Sequence, residues 1–395
     1  MGSSLSSDHA ARALRWDIFC RVVDNYGDLG VCRRLALHLA ALGQAVRLWV
    51  DDAALMQVMA PDIPRAGSSA RSSPGVQWVH WLPTHEAQCT EAPGDVVIEA
   101  FGCNPPEAFV GAMRAHAAGP STPAPVWINL EYLSAEGYVE LSHGLPSPQF
   151  HGPGAGLTKW FFYPGFTADT GGLLRERGLP EQRHAFDRPS WLKGLGLPDR
   201  GERRVSVFAY PDAPLALLME SLAQAARHDG IPVRMMLTQG PLQAQARRWL
   251  GAHPGAGAQV RMTDLPWLSS EDFDHLLWAC DLNLVRGEDS LVRAIWAGRP
   301  FIWQIYPQAD GAHVPKLQAF RDKVLAGGAA PWPSALDDWW KAWNGLSPWP
   351  RGGSFPWDLW PAWAAAADST GQALSSQASL AEALLAFVAG HRLGG

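Results

Sequence analysis

Asp281-Leu-Asn-Leu-Val-Arg286-Gly-Glu288-Asp289-Ser290-Leu-Val-Arg-Ala-Ile-Trp-Ala-Gly298-Arg-Pro300 reads as a buried strand, a polar loop and an amphipathic helix. Leu282, Leu284 and Val285 enter a sheet. Leu291, Ala294, Ile295 and Ala297 then recur at helical spacing until Gly298-Arg-Pro300 stops the helix. Arg286, Glu288, Asp289 and Ser290 therefore cluster at a helix N-terminus. Free backbone N–H groups and the positive end of the helix dipole suit an anionic phosphate there, and two carboxylates suit the hydroxyls of a sugar. Helix capping by Asp289 and Ser290, with a local Arg286–Glu288 pair, is the competing reading. The next run, Pro300-Phe-Ile-Trp-Gln304 followed by polar residues to His313, reads as another strand and loop. Open α/β sheets bind ligands at such loops.

The chain opens in the same way. After a polar tail over 1–14, Trp16-Asp-Ile-Phe-Cys-Arg-Val-Val23 reads as a buried strand, Asp24-Asn-Tyr26-Gly27-Asp28-Leu-Gly30 as a loop, and Val31, Leu35, Leu39 and Leu42 as the apolar stripe of a helix. Asp24 and Asp28 thus stand at the carboxyl end of the first strand, where one of them can serve as a catalytic base. Turn formation and N-capping by the same residues are the alternatives. Neither a G-x-G-x-x-G fingerprint nor a G-x-x-x-x-G-K-[ST] loop occurs.

Further strands are expected over 76–81, 95–100 and 125–130, with a helix over 106–117. Periodicity fades from Glu131 to Gly178, a stretch rich in aromatic and acidic residues. The charged residues near 189–204 read as an interdomain linker, and a second α/β unit follows from Val205. Phe208, Tyr210 and Trp267 can stack on a base, although core packing is the default for each. Asp272-Phe-Asp274 has the form of a D-x-D metal motif, yet it follows Ser269-Ser270 as the first turn of a capped helix would. No zinc spacing, H-E-x-x-H or G-x-S-x-G is present. The resulting domains are 15–190, 191–355, and a helical segment over 356–395 that packs back on the first.

At 395 residues, with 32 Lys and Arg against 38 Asp and Glu, the chain has a net charge of −6, which argues against a nucleic-acid partner held by a basic surface. Five scattered cysteines fit reduced thiols in a cytoplasmic protein. No apolar run is long enough for a membrane partner or span.

Two Rossmann-like lobes, helix starts that suit a diphosphate, and an acidic loop in the first lobe describe an α/β protein of the GT-B glycosyltransferase fold, its domains facing across a cleft. The motifs go further. Asp24-Asn-Tyr-Gly-Asp28-Leu-Gly, Asn129-Leu-Glu-Tyr-Leu-Ser-Ala-Glu136, Leu145-Pro-Ser-Pro-Gln149, Tyr163-Pro-Gly-Phe166, Gly171-Gly-Leu-Leu-Arg175 and Arg286-Gly-Glu-Asp-Ser290 resemble those of the protein-arginine rhamnosyltransferases that modify bacterial elongation factor P. The resemblance implies inverting transfer of L-rhamnose from dTDP-β-L-rhamnose to an arginine of that factor, with no cofactor and no metal. It implies Asp24 and Asp28 at the reaction centre, with Glu288 as a further catalytic candidate, and Phe208, Tyr210, Trp267, Arg286, Glu288, Asp289 and Ser290 around the donor. Tyr26 and Gly27 join the donor-binding set. Ser270 stands where the family often has Gln, and Trp267 where Phe is common. A noncatalytic protein-binding module, an NDP-sugar epimerase, or a transferase for another sugar or acceptor would be the alternatives.

Overall fold

The computed structural model describes residues 13–23, 26–59, 71–73, 75–89, 91–119, 123–197, 200–327, 330–350 and 352–393. The first half alternates strands and helices: β1 (Arg15–Cys20), α1 (Tyr26–Ala41), β2 (Ala45–Val50), α2 (Ala53–Met59), β3 (Arg71–Ser73), β4 (Val76–His80), β5 (Val96–Ala100), α3 (Glu107–Ala117) and β6 (Val126–Leu130). It continues through α4 (Gly137–Ser142), β7 (Pro146–Pro148) and β8 (Thr158–Phe162). These strands form one sheet in the order β3-β4-β2-β1-β5-β6-β8-β7, parallel except for β3 and β7 at its two edges. β1 is central, with Ile18 opposite both Leu48 and Ile98 and fully buried.

Helices α5 (Leu179–Ala185) and α6 (Arg188–Gly194) lead to the second sheet. Its elements are β9 (Arg203–Val207), α7 (Leu215–Asp229), β10 (Val233–Leu237), α8 (Pro241–Ala252), β11 (Val260–Asp264), α9 (Ser270–Ala279), β12 (Leu282–Arg286), α10 (Gly287–Ala297) and β13 (Phe301–Gln304). The order is β11-β10-β9-β12-β13, all parallel. Helices α11 (His313–Phe320), α12 (Asp337–Trp343), α13 (Trp360–Ser375) and α14 (Leu380–Leu393) complete the described chain. The protein has the GT-B fold, two Rossmann-like α/β sheets facing across a cleft. Both sheets reverse their winding beside their first strand, between β1 and β5 and between β9 and β12. Ligand crevices form outside the carboxyl ends of strands at such switch points.

Three features differ from the sequence expectations. Helix α1 starts at Tyr26, so Tyr26, Gly27 and Asp28 form its first turn rather than a loop. The aperiodic stretch contains β7 and β8; a three-residue strand bearing two prolines is tolerated at a sheet edge but carries no alternation to read. The charged linker includes α6 and the first residues of β9. There Glu202 is buried against Arg234 (2.6 and 3.0 Å) and Arg261 (3.0 Å), so its charge marks a paired strand start rather than a solvated connection.

The Trp-rich segment is core. Trp339, Trp340, Trp343, Trp357 and Trp363 are buried, Trp340 meets Phe301 edge-on at 5.7 Å, and Asn344 donates to the Trp303 carbonyl oxygen at 2.9 Å. Helix α14 returns to the first sheet, where Phe387 packs on Phe162 (5.5 Å) and Trp160 (5.9 Å). Gly171-Gly172-Leu173-Leu174-Arg175 receives it: the Leu380 N–H donates to the Leu173 carbonyl (2.8 Å), and Arg175 donates to the Gln377 carbonyl (2.9 Å). All five cysteines are free. Among the described residues no helix is long and apolar enough to cross a membrane.

Candidate active site

The switch-point loops of the two sheets meet around a cavity of ≈ 370 Å³ lined from the first lobe by Gly27, Gly30, Arg33, Arg34, Val58 and Met59. The second lobe contributes Phe208, Thr238 and Gln239, residues 266–270, Phe273, and residues 286–290. Of the residues singled out from sequence, Gly27, Phe208, Trp267, Arg286, Glu288, Asp289 and Ser290 share this wall. Asp24 and the side chain of Tyr26 lie outside the described residues.

Gly287 makes the turn from β12 into α10. It adopts φ +65°, a left-handed conformation that costs glycine little, and so brings Arg286 and residues 288–290 to the cavity. The first N–H groups of α10 have no acceptor within their own helix, which leaves the positive end of its dipole at the cavity wall. Arg286 does not pair with Glu288. Its guanidinium instead lies 4.7 Å from the Phe208 ring centroid and 4.6 Å from that of Tyr210. Tyr210 is buried behind it, and its N–H donates to Gln304 Oε1 at 2.8 Å. These rings thus hold a cation at the cavity, each such contact contributing about 0.5–2 kcal/mol. Trp267, 45% exposed, presents the open aromatic face.

The three polar residues after Gly287 have distinct partners. Glu288 accepts the Leu133 N–H from the first lobe (2.9 Å) and pairs with Lys316 (2.7 Å), so each of its oxygens is engaged. Asp289 pairs with Arg34 Nε of α1 at 2.9 Å. Ser290 Oγ turns back to the main chain, accepting the Arg286 N–H (3.0 Å) and donating to the Arg286 carbonyl. Capping therefore describes Ser290, whereas Glu288 and Asp289 tie the lobes together.

Behind Asp289 lies a charge network that sequence reasoning missed. Arg34, buried at 7% exposure, also reaches Glu176 (3.2 Å) and Asp274 (3.8 Å). Arg293 grips Asp274 through two bonds (2.7 and 2.5 Å) and meets Glu176 at 2.5 Å. Burial alone would push the Glu176 carboxyl up, but Arg293 and Arg34 overcome it and hold the group at about 2. Asp274 is thus consumed as a structural counter-ion, and Ser269 caps α9 by accepting the Asp272 N–H at 3.0 Å. Among the described residues no group of three or more His, Cys, Asp or Glu side chains is placed to hold a metal ion. The one local hint of this network was an arginine, Arg34, set one helical turn from Val31 on the apolar stripe of α1.

Asp28 is 4% exposed, and its Oδ2 accepts the Val23 N–H at 2.9 Å, closing the turn between β1 and α1. The carboxylate is therefore fixed at the end of the central strand. Nearby, Arg33 donates to Ser270 Oγ across the cleft at 2.9 Å.

The family model for the elongation-factor P (EF-P) rhamnosyltransferase EarP matches residues 16–389. The chain is 45% identical over 352 residues to the protein-arginine rhamnosyltransferase of Pseudomonas putida, covering 83% of this chain and 86% of that one. It is 38% identical over 323 residues to that of Neisseria meningitidis serogroup B, covering 78% of each. A solved structure described as the structural basis for EarP-mediated arginine glycosylation of translation elongation factor EF-P superimposes with a TM-score of 0.58 at 31% identity, over 95% of this chain and 98% of that one. A putative UDP-N-acetylglucosamine 2-epimerase from Listeria monocytogenes shares the fold alone, with a TM-score of 0.53 at 11% identity, over 97% of this chain and 98% of that one. The chain belongs to the EarP family of elongation-factor P rhamnosyltransferases, enzymes of the protein-arginine rhamnosyltransferase class.

Proposed function

We propose that this chain transfers L-rhamnose from dTDP-β-L-rhamnose to an arginine side chain of elongation factor P, with inversion at the sugar and without a metal, in the cytoplasm. One observation carries the reading: α1, through Gly27, Gly30, Arg33 and Arg34, faces the N-terminus of α10 and Arg286 across a single cavity, and Asp28 is buried directly beside Gly27. The relatives' names supply the acceptor and the sugar class. Five free cysteines agree with a reducing compartment.

In this mechanism the second lobe binds the nucleotide, with Trp267 and Phe208 beside the base. Arg286 and the α10 N-terminus face the diphosphate. The acceptor arginine enters from the first lobe. A guanidinium with a pKa above about 12 is a poor nucleophile, so a carboxylate must orient it and accept a proton as the bond forms. Asp28 takes this role, with Asp24 as the second candidate. Glu288, whose oxygens are both engaged, serves by positioning. The guanidino nitrogen attacks the anomeric carbon from the face opposite the diphosphate, the N–C bond forms as the C–O bond breaks, and dTDP leaves with the bond pair. Positive charge on Arg286 and the helix N-terminus stabilises the negative charge that grows on the leaving oxygen.

Mass spectrometry of elongation factor P incubated with the protein and dTDP-rhamnose tests the reading. One deoxyhexose added to an arginine is the expected product. Modification with a different NDP-sugar only would refute the donor, and no modification with any donor would leave a protein-binding module.

A further inference from the structure

Arg33 and Arg34 are consecutive on α1 and both line the cavity, but only one of them is neutralised. Arg34 is surrounded by Asp289, Glu176 and Asp274. Arg33 has no ion pair among the described residues; its side-chain hydrogen bond goes to the neutral Ser270 hydroxyl at 2.9 Å. Burial pushes its guanidinium below the usual range, the like charge of Arg34 adds to this, and Asp289 offsets only part. A partly desolvated cation is held at a cavity wall without a matched anion. The opposite wall carries Arg286 and the first turn of α10, whose acidic residues Glu288 and Asp289 are engaged by Lys316 and Arg34, so that a cation and the positive end of a helix dipole face Arg33 across the cavity.

We propose that Arg33 is the first lobe's ligand for the donor diphosphate, completing an anion site whose other wall is Arg286 and the start of α10. This rests on the nucleotide-sugar reading above. A neutral base would leave the Arg33 charge uncompensated, whereas a diphosphate supplies the missing anion and accepts a planar, multi-donor guanidinium in charge-assisted hydrogen bonds. The nucleobase has its own aromatic wall in Trp267, Phe208 and Phe273.

Calorimetric titration with dTDP and with thymidine separates the phosphate contribution from that of the base. Wild-type protein should bind dTDP more tightly than thymidine. Arg33→Gln should weaken dTDP binding roughly 10- to 100-fold, the range for losing a charge-assisted hydrogen bond, and leave thymidine within about twofold. Arg33→Lys, which keeps the charge, should recover part of the loss. Ser270→Ala removes the Arg33–Ser270 bridge but not the charge, so it should keep the wild-type ratio of dTDP to thymidine affinity. An equal loss for both ligands in Arg33→Gln would move Arg33 to the base, and the same selective loss in Ser270→Ala would reduce it to a bridge between lobes; either overturns the assignment. Unchanged dTDP affinity in Arg33→Gln overturns it alone, while a wild-type protein that binds no dTDP overturns the donor reading itself.

Discussion

Asp28 separates two roles that one substitution can distinguish. Its carboxylate closes the β1–α1 turn through the Val23 N–H, and it follows Gly27, which lines the cavity. Asparagine keeps the acceptor oxygen and serves as well near a helix start, so Asp28→Asn should leave the thermal midpoint and dTDP affinity near wild type. If Asp28 accepts the acceptor proton, turnover should fall by roughly 10²–10⁴-fold in the same variant. Near-normal turnover in a rhamnosylation assay would transfer the base role to Asp24. Much at this scale was legible, because strand–loop–helix patterns put Arg286, Glu288, Asp289 and Asp28 at strand ends. The partners were not. Arg34 meets Asp289 255 positions away and Glu176 142 positions away, and such pairs leave no periodic trace. Proximity in sequence matches Arg286 to Glu288, yet the rings of Phe208 and Tyr210 take its guanidinium and Lys316 takes the carboxylate.

Helix α10 joins nucleotide chemistry to lobe geometry. Because Asp289 is held by Arg34 of the first lobe, Asp289→Ala should weaken dTDP binding in calorimetry, while Arg34 keeps Glu176 and the fold survives. A midpoint collapse with normal dTDP affinity in the residual folded protein would make Asp289 structural only. The clamp at 171–175 behaves in the opposite sense. Gly172 adopts φ +68°, and a Cβ there would run into the Ala378 carbonyl oxygen. Gly172→Ala should therefore cost about 1–3 kcal/mol and lower the thermal midpoint without changing the donor affinity of folded protein. The motif Gly171-Gly-Leu-Leu-Arg175 stood out in the sequence alongside the catalytic candidates; its task is to seat the α13–α14 connection, which no local pattern announces.

The whole molecule carries its sensitivity to acid in the network between the lobes. Folding holds the Glu176 carboxyl at about 2, below its ordinary 4.5, because Arg293 and Arg34 outweigh its burial. A carboxyl depressed on folding binds protons more readily in the unfolded chain. Its contribution is therefore complete above about 4.5 and is lost as the pH falls towards about 2. Denaturant midpoints measured through this window should decline, and Glu176→Gln should flatten the decline while lowering stability at neutral pH, where Arg34 and Arg293 then lack a partner. A slope identical to wild type would remove Glu176 from the acid response.

Helix α14 covers the first sheet, yet in chain order it comes after the entire second sheet. Synthesis from the ribosome is vectorial, and N-terminal domains ordinarily finish folding while the rest is being made. Here the first lobe's cover comes last: Trp160 and Phe162 receive Phe387 only when residues 380–393 have emerged. The first lobe is thus completed only once the second has been made, and a chain truncated before α14 would leave Trp160 and Phe162 without the Phe387 ring that packs on both.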